Sequence, residues 1–207
     1  MVRTVIVGAI VLSVVAFCIA QQYIPSNASD NTPPIVTGWA NTTTVTVWIN
    51  GNQYPAGSAS NLAIQNSISN AGSQYFWNTA TYYTFNTISG FPVNPPGNNI
   101  VVMQQIPGTM SGNPDPNKVG LTSYTFDTST GNVLNAWMEL NPNIADSGAL
   151  ETDTGHEVSH LYGLGDCWTC GNLNNSIMYN PLPWSSPVSY GPTANDVYYN
   201  DLYRPNE

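Results

Sequence analysis

Both histidines of this 207-residue chain lie in one phrase: His156-Glu157-Val158-Ser159-His160-Leu161-Tyr162-Gly163-Leu164-Gly165-Asp166. The spacing is H-E-x-x-H followed by G-x-x-D. On an α-helix, positions i and i+4 sit about one turn apart, so both imidazoles leave the same face. Two neutral ring nitrogens at that separation can bind one Zn²⁺ and leave room for a further ligand. Glu157 stands next to the first of them. From there its carboxylate can act on a water held at the metal without being a ligand itself. The chemistry this phrase can carry is metal-assisted hydrolysis, and a peptide bond is the first substrate to consider.

The surroundings strengthen the phrase beyond a bare H-E-x-x-H, which also arises in surface helices with two unrelated histidines. Gly163 falls where the helix must stop and turn, and glycine takes positive φ without steric cost. Asp166 then offers a carboxylate oxygen, a common zinc ligand, and no third histidine competes for the place. A second reading of Asp166 is that it caps the turn while another carboxylate or water completes the site. Met178, within Ser176-Ile177-Met178-Tyr179, follows twelve residues after Asp166.

Together these residues resemble the metzincin metalloproteases, whose usual phrase is H-E-x-x-H-x-x-G-x-x-H followed by a methionine turn. Aspartate at the last position is similar to the snapalysin-like variant, and the catalytic domain resembles that of the matrixins. The resemblance spans nearly all of residues 40–205. It implies an α+β zincin fold, with a twisted, mostly parallel sheet of about five strands, three helices, and an active-site helix followed by a Met-turn. It implies one zinc ion held by His156, His160 and Asp166, with Glu157 as general base and Met178 packed beneath the metal. Tyr179 or Tyr162 would be placed to hydrogen-bond an oxyanion. A protein or peptide substrate would lie extended along an edge strand, Leu121–Phe126, with Pro181–Trp184 walling an apolar pocket. The expected protein is a secreted, monomeric zinc endopeptidase. Two other readings stay open: an inactive extracellular binding protein on the same scaffold, and a zinc hydrolase of non-peptide substrates.

Composition bounds the setting. Charged residues make up 7% of the chain, against about 25% in an average domain. A formal net charge of −9 argues against nucleic acid and against anionic membrane surfaces as partners. Neutral polar residues replace the missing charges and would keep a surface wet without relying on carboxylate ionisation, consistent with life in acid. A neutral, glycosylated surface is the alternative, and sequons begin at Asn27, Asn41 and Asn174. Calcium is conceivable through Asp115, Asp127 or Asp146, but no loop clusters enough carboxylates to support it.

Residues 1–20 read as a secretion signal: Arg3, then an apolar run from Val5 to Ala20, with cleavage expected before Gln21. A lipidated Cys18 fits less well beside bulky Phe17, and the run is short for an uncleaved anchor. Removal of the signal leaves Lys118 and Arg204 as the only lysine or arginine residues, and Cys167 and Cys170 as the only cysteines. In a secreted protein that pair reads as a disulfide, with free thiols, metal binding or redox chemistry as alternatives.

The remaining chain must position the phrase. Residues 21–40 read as a polar linker and 41–207 as the catalytic domain. Strands are expected at Val45–Ile49, Tyr82–Ile88, Asn99–Gln105, Leu121–Phe126 and Val133–Leu140, the last two joined by a turn at Ser129–Asn132. A helix is expected from Ser60 to Trp77, frayed by Gly72. The motif helix is expected from near Leu150, with Glu151 and Asp153 at the positive end of its dipole. Thr193 with Asp196 forms a capping-box-like start to a last helix, Ala194–Tyr203. Glu139, on a strand, is expected to face water.

Overall fold

Val45, Val47 and Ile49 alternate with less buried neighbours along one strand, and all three side chains are fully buried. That period of two places one face of the strand on the core. In the computed structural model the strand is β2 (Thr44–Asn50), an interior strand one place in from an edge of the sheet. The structure describes residues 18–19, 38–40, 43–75, 82–90, 95, 97–168 and 170–203. Apart from Cys18–Ile19, the expected signal segment lies outside the described residues, as does most of the expected linker.

The fold is α+β. Five main strands, β2, β3 (Tyr82–Ile88), β4 (Asn99–Gln104), β5 (Gly120–Phe126) and β6 (Val133–Leu140), are joined by a two-residue strand, β1 (Cys18–Ile19). The sheet order is β1-β5-β6-β4-β2-β3. β3, β2, β4 and β6 run parallel, whereas β5 runs antiparallel to β6. Parallel neighbours need crossovers, and α1 (Ala59–Tyr75) supplies the one between β2 and β3. β5 forms the far side of the main sheet, and its outer edge pairs with β1, Cys18 opposite Tyr124 and Ile19 opposite Ser123.

The helix α1 starts on Ser58, whose Oγ accepts from Asn61 N at 3.2 Å. Ile64, Ile68, Ala71 and Tyr75 form its buried stripe at helical spacing. Each isoleucine buried there contributes roughly 1.5–3 kcal/mol. Gly72 does not fray this helix. A Cβ at that position would lie 2.4 Å from the Tyr83 ring, so glycine lets α1 close on β3. The stripe packs on α2 (Ser147–His160), the helix that carries the histidines.

Three expectations need correction. α2 begins at Ser147, not near Leu150, because Asp146 is the N-cap and accepts from Ala149 N at 2.9 Å. Glu151 and Asp153 consequently lie beyond the first residues of the helix rather than at the positive end of its dipole, and Asp153 is fully buried. Trp39, at the end of the supposed linker, is a core residue with no exposure, and Gly38 beside it bridges to Asn132. Glu139 does not face water. Its carboxylate is buried, accepting from Gly108 N and Met110 N, each at 2.8 Å, and from Gln105 Nε2. A sheet residue surrounded by a folded-back loop has no solvent side, and β4 and β6 are both interior strands.

The last helix, α3 (Ala194–Tyr203), has the expected reciprocal cap. Thr193 N donates to Asp196 Oδ2 at 2.7 Å, and Asp196 N donates to Thr193 Oγ1 at 3.4 Å. No described helix is long and apolar enough to cross a membrane.

Candidate metal centre

The two imidazoles lie edge to face on the last turns of α2, their centroids 4.8 Å apart. Helical spacing alone would leave each ring free to rotate, and the surrounding backbone removes that freedom. His156 Nδ1 lies 2.9 Å from the Ile177 carbonyl, and His160 Nδ1 lies 2.7 Å from the Leu164 carbonyl. A carbonyl only accepts, so both Nδ1 atoms must carry the proton. In the neutral rings the free lone pairs are therefore on Nε2, both within one buried cluster.

Each of those carbonyls is placed by a local feature. The helix ends as Gly163 takes φ 85°, and Gly163 N donates to His160 O at 3.0 Å. That turn folds the chain back so that the Leu164 carbonyl reaches His160. The Ile177 carbonyl is set by the turn around Met178. Asp196 of α3 accepts from Ile177 N at 2.9 Å and from Ser176 Oγ, and Ser176 Oγ accepts from Met178 N at 3.0 Å. Met178 is fully buried beneath this arrangement.

Asp166 completes the approach. Its Oδ1 is 3.0 Å from His156 Nε2 and 3.9 Å from His160 Nε2. Cys167 N donates to Met178 O at 2.7 Å and Asn180 N donates to Cys167 O at 3.2 Å, tying the Asp166 segment to the Met178 turn. Cys167 and Cys170 lie at disulfide distance, Cα to Cα 5.7 Å. Asn180 also hydrogen-bonds the Asp166 carboxylate, a contact that sequence reading missed for want of any motif around Asn180.

Glu157 is 3% exposed, and its Oε2 accepts from Thr122 Oγ1 at 2.8 Å. Gly120, at the start of β5, lies so close that a Cβ there would be 2.5 Å from Glu157 Oε1. β5 therefore holds the carboxylate from one side, through two residues whose roles depend on strand and helix meeting in space.

The charge balance reflects this crowding. Burial opposes the charged form of His156, but the hydrogen bond to Asp166 and the charges of Glu157 and Asp166 outweigh it, raising the pKa to about 9. Burial, with the neighbouring His156, lowers that of His160. Burial also disfavours the Asp166 carboxylate, yet the hydrogen bond and charge of His156 hold it below the usual range. Two carboxylates and two imidazoles thus crowd one buried point, which favours the charged form of His156 and disfavours that of His160. Ligand atoms of His156, Glu157 and His160 lie within 4.8 Å of one another, and this buried group can hold a metal ion. Asp166 approaches the same histidine nitrogens, so Glu157 and Asp166 both have access to the point.

The group opens on a cleft of about 300 Å³. β5 forms one wall, through Gly120, Leu121 and Thr122, and Trp168, Pro181, Leu182 and Trp184 line it too. Neither tyrosine named from sequence is among the lining residues. Tyr162 is buried, its hydroxyl hydrogen-bonded to that of Tyr83 and its ring 5.0 Å from that of Tyr75, so it supports the helix. Tyr179 bridges to Cys167, and it is the adjacent Asn180 that reaches the cleft. The three aspartates considered for calcium serve local structure. Asp115 and Asp127 accept from backbone N–H groups two residues on, and Asp146 caps α2 and accepts from Ser186 N at 3.0 Å.

No known protein-family model matches this sequence, and no curated protein matches it.

Proposed function

We propose that this chain is a secreted zinc-dependent endopeptidase of the metzincin type. The observation that carries the reading is the pair of imidazoles whose Nδ1 protons are committed to the Ile177 and Leu164 carbonyls, with a buried carboxylate beside them. The donor set of two imidazole nitrogens and one Asp oxygen suits zinc, with His156, His160 and Asp166 as ligands. Glu157 is then left for proton transfer, and its bond to Thr122 keeps it beside β5. When bound, zinc supplies Lewis acidity that makes water more acidic and polarises a carbonyl.

The residues of the chain do the rest. Glu157 accepts the proton of the attacking water and delivers it to the leaving amine. Thr122 Oγ1 occupies Oε2, so Oε1, beside Gly120, is the oxygen turned to that task. Extended backbone laid on the β5 edge would bring its peptide groups past this point, bound through main-chain hydrogen bonds. Pro181, Leu182 and Trp184 give the facing wall apolar character. Secretion is supported by the apolar run at residues 5–20 and the Cys167–Cys170 pair.

The test is casein hydrolysis from pH 3 to 8 by the purified chain and by Glu157→Ala, with zinc measured in both. The expected result is zinc in both proteins and turnover in the native chain alone. Zinc in both with turnover in neither would move the reading to a binding protein.

A further inference from the structure

Lys118 is the single lysine or arginine among the described residues, in a chain with 12 acidic residues and a net charge of −9. It lines the same cleft as His156, Glu157 and His160. It is half-buried and forms no ion pair with any described residue. Its nearest acidic neighbour in sequence, Asp115, accepts from Asn117 N at 2.9 Å. A cation in so acidic a chain, left unpaired at the cleft, is poised for an anion brought by the ligand.

The pairing of β1 shows which end of a substrate would meet it. β1 runs antiparallel to β5, with Cys18 opposite Tyr124 and Ile19 opposite Ser123. In antiparallel pairing, each step forward on one strand is a step back on the other. A chain in that register and direction would reach Gly120, beside Glu157 Oε1, three residues after the position opposite Ser123. Residues that follow would then run towards Lys118. Its ammonium can reach further along a flexible stem. We propose that Lys118 selects substrates carrying a carboxylate on the C-terminal side of the cleaved bond. This rests on the peptidase reading above and adds a charge preference to the apolar wall.

That carboxylate has two possible sources, an acidic side chain or the C-terminus of a short peptide. Three internally quenched peptides separate them. Two are blocked at both ends and differ only in Glu or Gln after the cut. The third carries Gln and a free C-terminal carboxylate two residues after the cut. A half-buried, charge-assisted pair should raise kcat/KM for a carboxylate peptide by about five- to tenfold, mainly through KM. Lys118→Gln should remove the preference, Lys118→Arg should keep it, and Lys118→Glu should reverse it. Added salt should weaken it. Preference for the blocked Glu peptide assigns a side chain, and preference for the free terminus alone assigns release of a C-terminal dipeptide. Equal cleavage of all three, or a preference unchanged in Lys118→Gln, overturns the proposal.

Affinity of the same peptides for Glu157→Gln, read by fluorescence anisotropy, keeps the two readings apart. A Lys118-dependent Kd ratio without cleavage by the native chain would refute the peptidase and retain the carboxylate site. Absence of both cleavage and binding would overturn both.

Discussion

Replacing Asp196 with alanine removes one carboxylate on which two elements depend. Asp196 is fully buried and accepts from Ile177 N, Ser176 Oγ, Thr193 N and Thr193 Oγ1. The two hydroxyls can turn towards other acceptors, but the two backbone N–H groups cannot. Ile177 N is a buried donor, and leaving it unmade costs about 1–3 kcal/mol; the partly buried Thr193 N adds about 1 kcal/mol through the lost cap of α3, so the expected loss is about 3 kcal/mol. Asparagine should recover most of that loss. With its amide oxygen in the place of Oδ2 it still accepts from both Ile177 N and Thr193 N, and its NH₂ displaces only the Ser176 hydroxyl proton. Against a total stability of about 5–15 kcal/mol, such a loss is plain in urea unfolding followed by tryptophan fluorescence. A second effect should travel through Ile177, whose carbonyl accepts from His156 Nδ1. Loosening a partner of this kind typically weakens metal affinity by about 10- to 100-fold, measurable by competition with a chelator under folded conditions. A stability loss below about 1 kcal/mol would refute the accounting. Full loss with unchanged zinc affinity would refute the path from Asp196 to His156.

Asp153 should make stability fall as pH rises. Its carboxyl is buried without a hydrogen-bond partner, and burial, opposed in part by His156, raises its pKa to about 8. The folded state keeps the proton that the unfolded chain releases above about pH 4, so stability falls between these pH values by up to about 1.4 kcal/mol per unit. Asp153→Asn has no proton to lose. It should match the native chain near pH 4 and exceed it increasingly up to pH 8, as read by thermal melts, and parallel pH profiles would count against the assignment. Asp166→Ala should lower zinc affinity strongly and remove turnover with the helix intact by circular dichroism. Full zinc occupancy and full activity in that variant would reject Asp166 as a ligand.

Much of the chemistry was legible in sequence because it is local. His156 and His160 share a helix face through covalent spacing alone, and Gly163 marks the turn because positive φ there requires no tertiary help. The strand residues from Val45 to Leu140 alternate or cluster strongly enough to place all five main strands within a residue or two. The Thr193–Asp196 cap is likewise a contact three residues long. What escaped the sequence depends on elements meeting. Thr122 and Gly120 bear on Glu157 only because β5 crosses α2, and no spacing in the chain encodes that approach. Glu139 looked like a solvated charge, since a charged side chain is exposed by default, and Asp153 looked like a partner of the helix dipole. A folded-back loop enclosed the first with donors, whereas packing around α2 buried the second with none. Tyr162 had the chemistry of an oxyanion partner, but its place on the inner side of the helix end committed it to Tyr83 and Tyr75. Residue types and short spacings thus determined which groups could react. The sheet order and the packing of α2 decided which carboxylates stand near the metal point, and which cation faces the cleft, because those distances exist only once remote segments are brought together.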